Sequence, residues 1–219
     1  GANAGMKTFI WNQCSDSIKQ ELLQRPVQAK QKELTENVAR IIDQVKADGD
    51  NALKALTRRF DGVELAALKV TEAEFERAEK SVSKELKQAM RDARQRLQLW
   101  HDAGKPSEFE IDTAEGVRCG RILRGISSVG LYVPAGTAPL PSTALMLGVP
   151  AAIARCDEIV LCTPTRGDGE ADPAVLVAAK LCGIENVFKV GGAQAIAAMA
   201  FGTESIPRCD KIFGPGNSY

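Results

Sequence analysis

The sequence predicts an α/β protein with a parallel sheet, preceded by a helical N-terminal segment. Three observations carry this. Residues before about 105 are charged and follow a helical period. Residues after it alternate short apolar runs with helices. From residue 157 the order is strand, helix, strand, helix, strand. That alternation implies parallel strands with right-handed crossovers, helices on both faces, and ligands beyond the carboxyl ends of the strands.

In the helical part, Leu34, Val38, Ile41, Ile42 and Val45 recur at helical spacing and line one face. Asp48-Gly49-Asp50 interrupts that helix, and Asn51 to Phe60 reads as a second one. Thr71-Glu72-Ala73-Glu74 has the form of a capping box, in which the Thr hydroxyl and the Glu carboxylate each satisfy a free backbone N–H. Ser83 to His101 reads as a long amphipathic helix, ended by Gly104 and Pro106.

In the α/β part, Val117 to Leu123 and Ser127 to Val133 read as strands joined by a turn at Arg124-Gly125. Pro134 to Pro141 is a Pro- and Gly-rich loop. Ser142 is placed to cap a mostly apolar helix from Thr143 to Arg155. Glu158 to Thr163 is a short apolar strand of the buried, parallel kind. A polar loop leads to Pro173, which suits a first helical turn, and that helix stops near Gly183. Asn186 to Val190 is a strand, Gly191-Gly192 turns into a helix from Ala193 to Phe201, and Lys211 to Phe213 is a last strand before Gly214-Pro215-Gly216.

The 219 residues suit one large domain or two small ones, and 44% hydrophobic with 26% charged residues is ordinary for a soluble globular chain. Lys plus Arg and Asp plus Glu are 28 each, so no net charge marks a nucleic-acid or anionic-membrane partner. No apolar run is long enough to span a bilayer, and no signal peptide opens the chain. Gly1 to Gly5, ahead of Met6, read as a cloning remnant. Cys14, Cys119, Cys156, Cys162, Cys182 and Cys209 are scattered without a C-x-x-C pair. They are expected to be packed, reduced thiols of a cytoplasmic protein rather than a zinc cluster.

Three loops stand where predicted strands end: Tyr132 to Pro139, Val190 to Ala195, and Gly214 to Asn217. Each joins residues without bulky side chains to one polar or aromatic handle. Glycines let a ligand approach the backbone, and N–H groups at a following helix start suit phosphate. Tyr132 is placed to stack on or bond a planar ligand, and Gln194 and Asn217 to hydrogen-bond a ribose or base. Taken singly, each loop reads equally well as a plain tight turn. The G-x-G-x-x-G fingerprint is absent.

Taken together, Val129-Gly-Leu-Tyr-Val-Pro-Ala-Gly136, Val190-Gly-Gly-Ala-Gln-Ala-Ile-Ala197 and Lys211-Ile-Phe-Gly-Pro-Gly-Asn217 resemble the histidinol dehydrogenase family in order and spacing. So do Ala200 to Pro207 and the Asn37 to Asp50 stretch. Ala135 departs from the pattern, which more often has a second glycine there. The resemblance implies NAD-dependent, zinc-requiring oxidation of L-histidinol to L-histidine through the aldehyde, by a cytoplasmic homodimer. Tyr132, Gln194 and Asn217 are then NAD contacts. The zinc ligands (a Gln, two His and an Asp) and a catalytic Glu-His pair are expected beyond Tyr219. His101, the one histidine, is expected to be a solvent-facing helix-end residue.

The resemblance also implies two incomplete Rossmann-like parallel-sheet domains of aldehyde-dehydrogenase-like architecture. On that pattern residues 6–26 are a small N-terminal segment, 27–131 the first part of one α/β domain, and 132–219 a truncated cofactor-side domain. The incomplete domain should expose apolar faces, and the chain alone should lack catalysis. Two alternatives stand beside this reading. One is another aldehyde-type dehydrogenase using a cysteine nucleophile, with Cys119 and Cys209 as the candidates. The other is a non-catalytic nucleotide-binding or assembly module.

Overall fold

The structure is a computed structural model and describes residues 8–23, 31–135 and 140–216. Two compact units divide at Asn37/Val38. In the first, a 3-10 turn (Trp11–Gln13) precedes α1 (Asp16–Leu23), and the Lys19 ammonium lies 5.6 Å from the centroid of the Trp11 ring. The helix α2 (Gln31–Asp61) crosses the division. Gly49 interrupts it with φ 52° and ψ −127°, so residues 51–60 form the separate helical stretch that Asp48-Gly49-Asp50 predicts.

The second unit continues with α3 (Glu72–Ser81) and α4 (Lys84–Ala103). The capping box that opens α3 is present: Glu74 N–H donates to Thr71 Oγ1 at 3.3 Å, and Thr71 N–H donates to Glu74 Oε2 at 2.7 Å. Ser83 caps α4, and Gly104 ends it by donating to the Trp100 carbonyl.

An antiparallel hairpin follows, β1 (Phe109–Ala114) and β2 (Val117–Arg121), exposed along both strands. Here the sequence expectation needs correction. The pattern of Val117 to Leu123 predicts a turn to the strand after it, but its partner is β1, the strand before it. Glu110 and Asp112 fill alternate positions of β1, residue types uncommon in strands, so pattern alone passed over it. Gly125 is no hairpin turn. A Cβ there would lie 2.5 Å from the Ala154 carbonyl oxygen, so this glycine lets the chain pass tightly beneath a helix end.

The remaining elements are β3 (Ser128–Tyr132), α5 (Leu140–Ile153), β4 (Glu158–Thr163), α6 (Pro173–Leu181), β5 (Asn186–Lys189), α7 (Gly192–Phe201) and β6 (Lys211–Phe213). Ser142 does not cap α5. The helix starts at Leu140, because Pro141 is pre-set for a first turn. It also stops at Ile153, and Arg155 adopts φ 54° beyond it. Asp172 caps α6 through the Ala174 N–H at 2.8 Å. Gly183, at φ 75°, closes the helix, with Ile184 N–H donating to the Ala179 carbonyl.

The four strands form one parallel sheet in the order β5-β4-β3-β6. Alternate residues feed two cores. Leu131, Leu161 and Val187 meet α3, α4, α5 and α6 on one face. Val160, Cys162 and Phe188 meet the second stretch of α2 and α7 on the other. The chain winds outward from β3 through β4 to β5, then returns to place β6 on the far side of β3. That reversal makes β3 and β6 the switch point of the sheet, and their carboxyl ends are the place where such sheets hold ligands. The unit from Val38 onward thus includes residues on both sides of 131/132. Apolar side chains are exposed at Leu99 and Trp100 of α4 and at Phe109, Ile111, Val117 and Ile122 of the hairpin region.

Candidate functional site

The carboxyl ends of the strands meet around Tyr132, the last residue of β3. Its side chain reaches past the end of β4, and the phenolic oxygen accepts the Gly192 N–H at 2.9 Å. From the other side, a Cβ on Gly214, just past β6, would lie 2.7 Å from the Tyr132 carbonyl oxygen and 2.8 Å from its Cβ. A Cβ on Gly191 would lie 2.5 Å from Cβ of Pro164 in the loop after β4. Gly192 itself holds φ 67°, in the left-handed region that favours glycine. The small residues are therefore demanded by close approach or backbone conformation, and they bring four strand ends into contact.

Gln194 sits in the first turn of α7 and is 3% exposed. Its amide folds back over the helix start, so that a Cβ on Gly192 would lie 2.6 Å from Gln194 Oε1. No hydrogen bond holds that amide among the described residues. The helix also lacks a capping side chain, since its N-cap is Gly191. The structure thus brings Tyr132 and Gln194 together around Gly192. Asn217 lies outside the described residues, which end at Gly216.

Two buried or half-buried polar constructions, one at this end of the sheet and one on the loop that enters β6, were not anticipated from sequence. Lys189, the last residue of β5, is buried and donates to Glu74 Oε1 at 2.7 Å. Burial alone would raise the Glu74 carboxyl, but hydrogen bonds from Lys189 and Thr71 and the Lys189 charge outweigh it and hold it below the usual range. A lone lysine within Val187-Phe188-Lys189-Val190 was the available signal. The second construction fastens the α2 kink to the loop after α7. Asp50 N–H donates to Glu204 Oε2 at 2.7 Å, Thr203 Oγ1 donates to Asp50 Oδ1 at 2.6 Å, and the Ser205 hydroxyl donates to Asp50 Oδ2. Burial pushes the Asp50 carboxyl up, but the Ser205 and Thr203 hydrogen bonds bring it below its ordinary value.

The candidate nucleophiles lie elsewhere. Cys209 is buried, donates to the Pro207 carbonyl at 3.6 Å, and has its thiol pushed up by burial. Cys119 is exposed on the hairpin rather than packed as expected, 3.7 Å from Thr113 Oγ1. Cys162 and Cys182 are buried and their thiols raised, the latter to about 11. A cavity of about 750 Å³ opens at the amino ends of β3 and β4, lined by His101, Lys105, Glu108, Arg124 and Arg155 among others. His101, half-buried in the last turn of α4, and Arg155, just past α5, complement the negative ends of those helices. Among the described residues no group of three or more His, Cys, Asp or Glu is placed to hold a metal ion, and no helix is long and apolar enough to cross a membrane.

The histidinol dehydrogenase family model matches residues 23–219. The chain belongs to the histidinol dehydrogenase family. It is 57% identical over 214 residues to histidinol dehydrogenase of Xanthomonas euvesicatoria pv. vesicatoria, covering 98% of this chain and 50% of that protein. Histidinol dehydrogenase of Xylella fastidiosa (strain Temecula1) is 53% identical over the same shares. The crystal structure of histidinol dehydrogenase from Elizabethkingia anophelis superposes with a TM-score of 0.86 at 44% identity, covering 94% of this chain and 47% of that one. The chain spans about half the length of the curated relatives it matches. The mixed α/β fold with its parallel sheet is therefore that of the matching part of a family member.

Proposed function

We propose that this chain is the cofactor-side portion of an NAD-dependent, zinc-requiring histidinol dehydrogenase, which oxidises L-histidinol to L-histidine through the aldehyde. The observation that carries the proposal is Gln194, a residue 3% exposed whose amide lies over the uncapped start of α7, against Gly192 and beside Gly191. A ligand at that start would meet both a hydrogen-bonding amide and the N–H groups of a helix without a capping side chain. A dinucleotide fits that description. Its ribose or base can bond the amide, and its phosphates suit the N–H groups of the helix start. Tyr132, Gln194 and Asn217 are the residues assigned to contact it. Bound NAD supplies the hydride acceptor. What this part of the chain contributes is binding and orientation, with the Lys189–Glu74 pair at the end of β5 bracing the Gly191-Gly192 loop that follows it.

The residues present do not fit the zinc, as no suitable group stands together among those described. In this proposal the metal ligands and the acid–base pair come from residues outside this chain. The homodimer, the cytoplasmic location, the boundaries at 6–26, 27–131 and 132–219, and the aldehyde-dehydrogenase-like pairing of two domains belong to the same proposal. Calorimetric titration of NAD into the chain is expected to show binding that weakens by about tenfold in Gln194→Ala. The chain mixed with L-histidinol, NAD and zinc is expected to form no NADH. Binding indifferent to that substitution would remove the nucleotide assignment, and turnover by the chain would remove the division of labour.

A further inference from the structure

We propose that the Tyr132 hydroxyl is an internal stand-in for a phosphate oxygen of the ligand: it occupies the Gly192 N–H in the free protein and must leave when the nucleotide binds. This rests on the nucleotide assignment for the site and adds how access to it is controlled. Gly192 N–H is the first donor of α7, and what it meets is a phenol contributed from the end of β3. A helix start carries partial positive charge and favours an anion over a neutral acceptor. A hydrogen bond to a phosphate oxygen is charge-assisted and about twice as strong as one to a neutral oxygen. The phenol is therefore the weaker of two ligands for one donor.

The surroundings are built for the stronger one. Gly192 is exposed, and its left-handed conformation directly precedes the right-handed first turn of α7. Such a succession turns consecutive N–H groups toward a common point and makes an anion-binding concavity. Gly191 contributes no capping side chain, and the side-chain oxygen that accepts the Gly192 N–H comes from Tyr132. Gln194 supplies the independent sign of a ligand: in a residue 3% exposed, its amide lies against Gly192 and no hydrogen bond ties it to another described residue. Under this assignment the ring of Tyr132 serves the bound nucleotide and its hydroxyl opposes binding.

The two roles have opposite signs on removing one atom. Tyr132→Phe keeps the ring and frees the Gly192 N–H. In calorimetric titrations of the 219-residue chain with inorganic pyrophosphate and with NAD, Tyr132→Phe is expected to bind both about two- to tenfold more tightly than the unaltered chain, the worth of one hydrogen bond no longer given up. In the unaltered chain labelled with ¹⁵N, the Gly192 amide resonance is expected to shift as pyrophosphate is added, which tests the displacement without any substitution. Equal or weaker binding by Tyr132→Phe, or a Gly192 amide that pyrophosphate leaves unmoved, overturns the stand-in. If NAD still binds in a Gln194-dependent way, the nucleotide site survives that result. If neither form binds NAD or pyrophosphate, both proposals fail together.

Discussion

The four-stranded sheet and the β1–β2 hairpin are both built from short strands, yet they differ in almost every physical respect. Both faces of the sheet are covered, and its strands approach their helices so closely that a Cβ on Gly130 would lie 2.8 Å from Met199 Sδ. The hairpin is exposed on both strands, apolar Phe109 and Ile111 included. Their ion pairs differ in the same way. Lys189–Glu74 is buried beside the glycine loop, whereas Arg118 faces Glu110 and Asp112 in solvent. Local alternation suffices to make a strand, but only coverage turns its side chains into stability. The small-residue loops proposed to hold a nucleotide lie where the coverage is complete.

The comparison can be broken or sharpened by three measurements of unfolding in urea. Glu74→Gln should cost the most, about 3–5 kcal/mol, because it leaves Lys189 charged and buried without its partner. The same carboxyl gives a pH signature. Its folded value lies below the ordinary 4.5, so its contribution is fully present above pH 4.5 and is lost as the pH falls through the lower folded value. The unaltered chain should therefore lose stability in that acid range more steeply than Glu74→Gln does, and parallel acid limbs would deny the pair its role. Leu161→Ala, at a position 0% exposed in the centre of the sheet, should cost about 2–5 kcal/mol. Ile111→Ala, at a hairpin position 53% exposed, should change stability by no more than about 0.5 kcal/mol. A loss at Ile111 equal to that at Leu161 would mean that the hairpin shares the core after all.

Much of the fold was legible because its cues are local. The Thr71 box, the Gly49 break, the Pro173 helix start and the Gly183 stop each depend on residues within a turn of one another. The buried strand Glu158–Thr163 was found with its own limits, because a parallel strand covered on both faces is apolar throughout. The failures share a cause too. β1 was hidden by its acidic residues, and β2 was given the wrong neighbour because pairing is a choice between distant segments. At the site, the residue types were visible in sequence and their mutual contact was not. Cys119, expected to be packed, proved exposed for the same reason, since burial depends on what arrives from elsewhere in the chain.

By itself the sequence determined the order of elements from β4 onward, the strand–helix alternation that makes the sheet parallel, and the small-residue loops at the strand ends. Periodicity, capping and glycine act over a few residues and leave their mark in the text. Only the tertiary structure decided that Tyr132 reaches Gly192, that Lys189 finds Glu74, and that Asp50 is held by Thr203 and Ser205. These partners are joined by packing across 60 to more than 150 residues of chain. No local rule records such a distance, because it is the closing of two cores on one sheet that sets it.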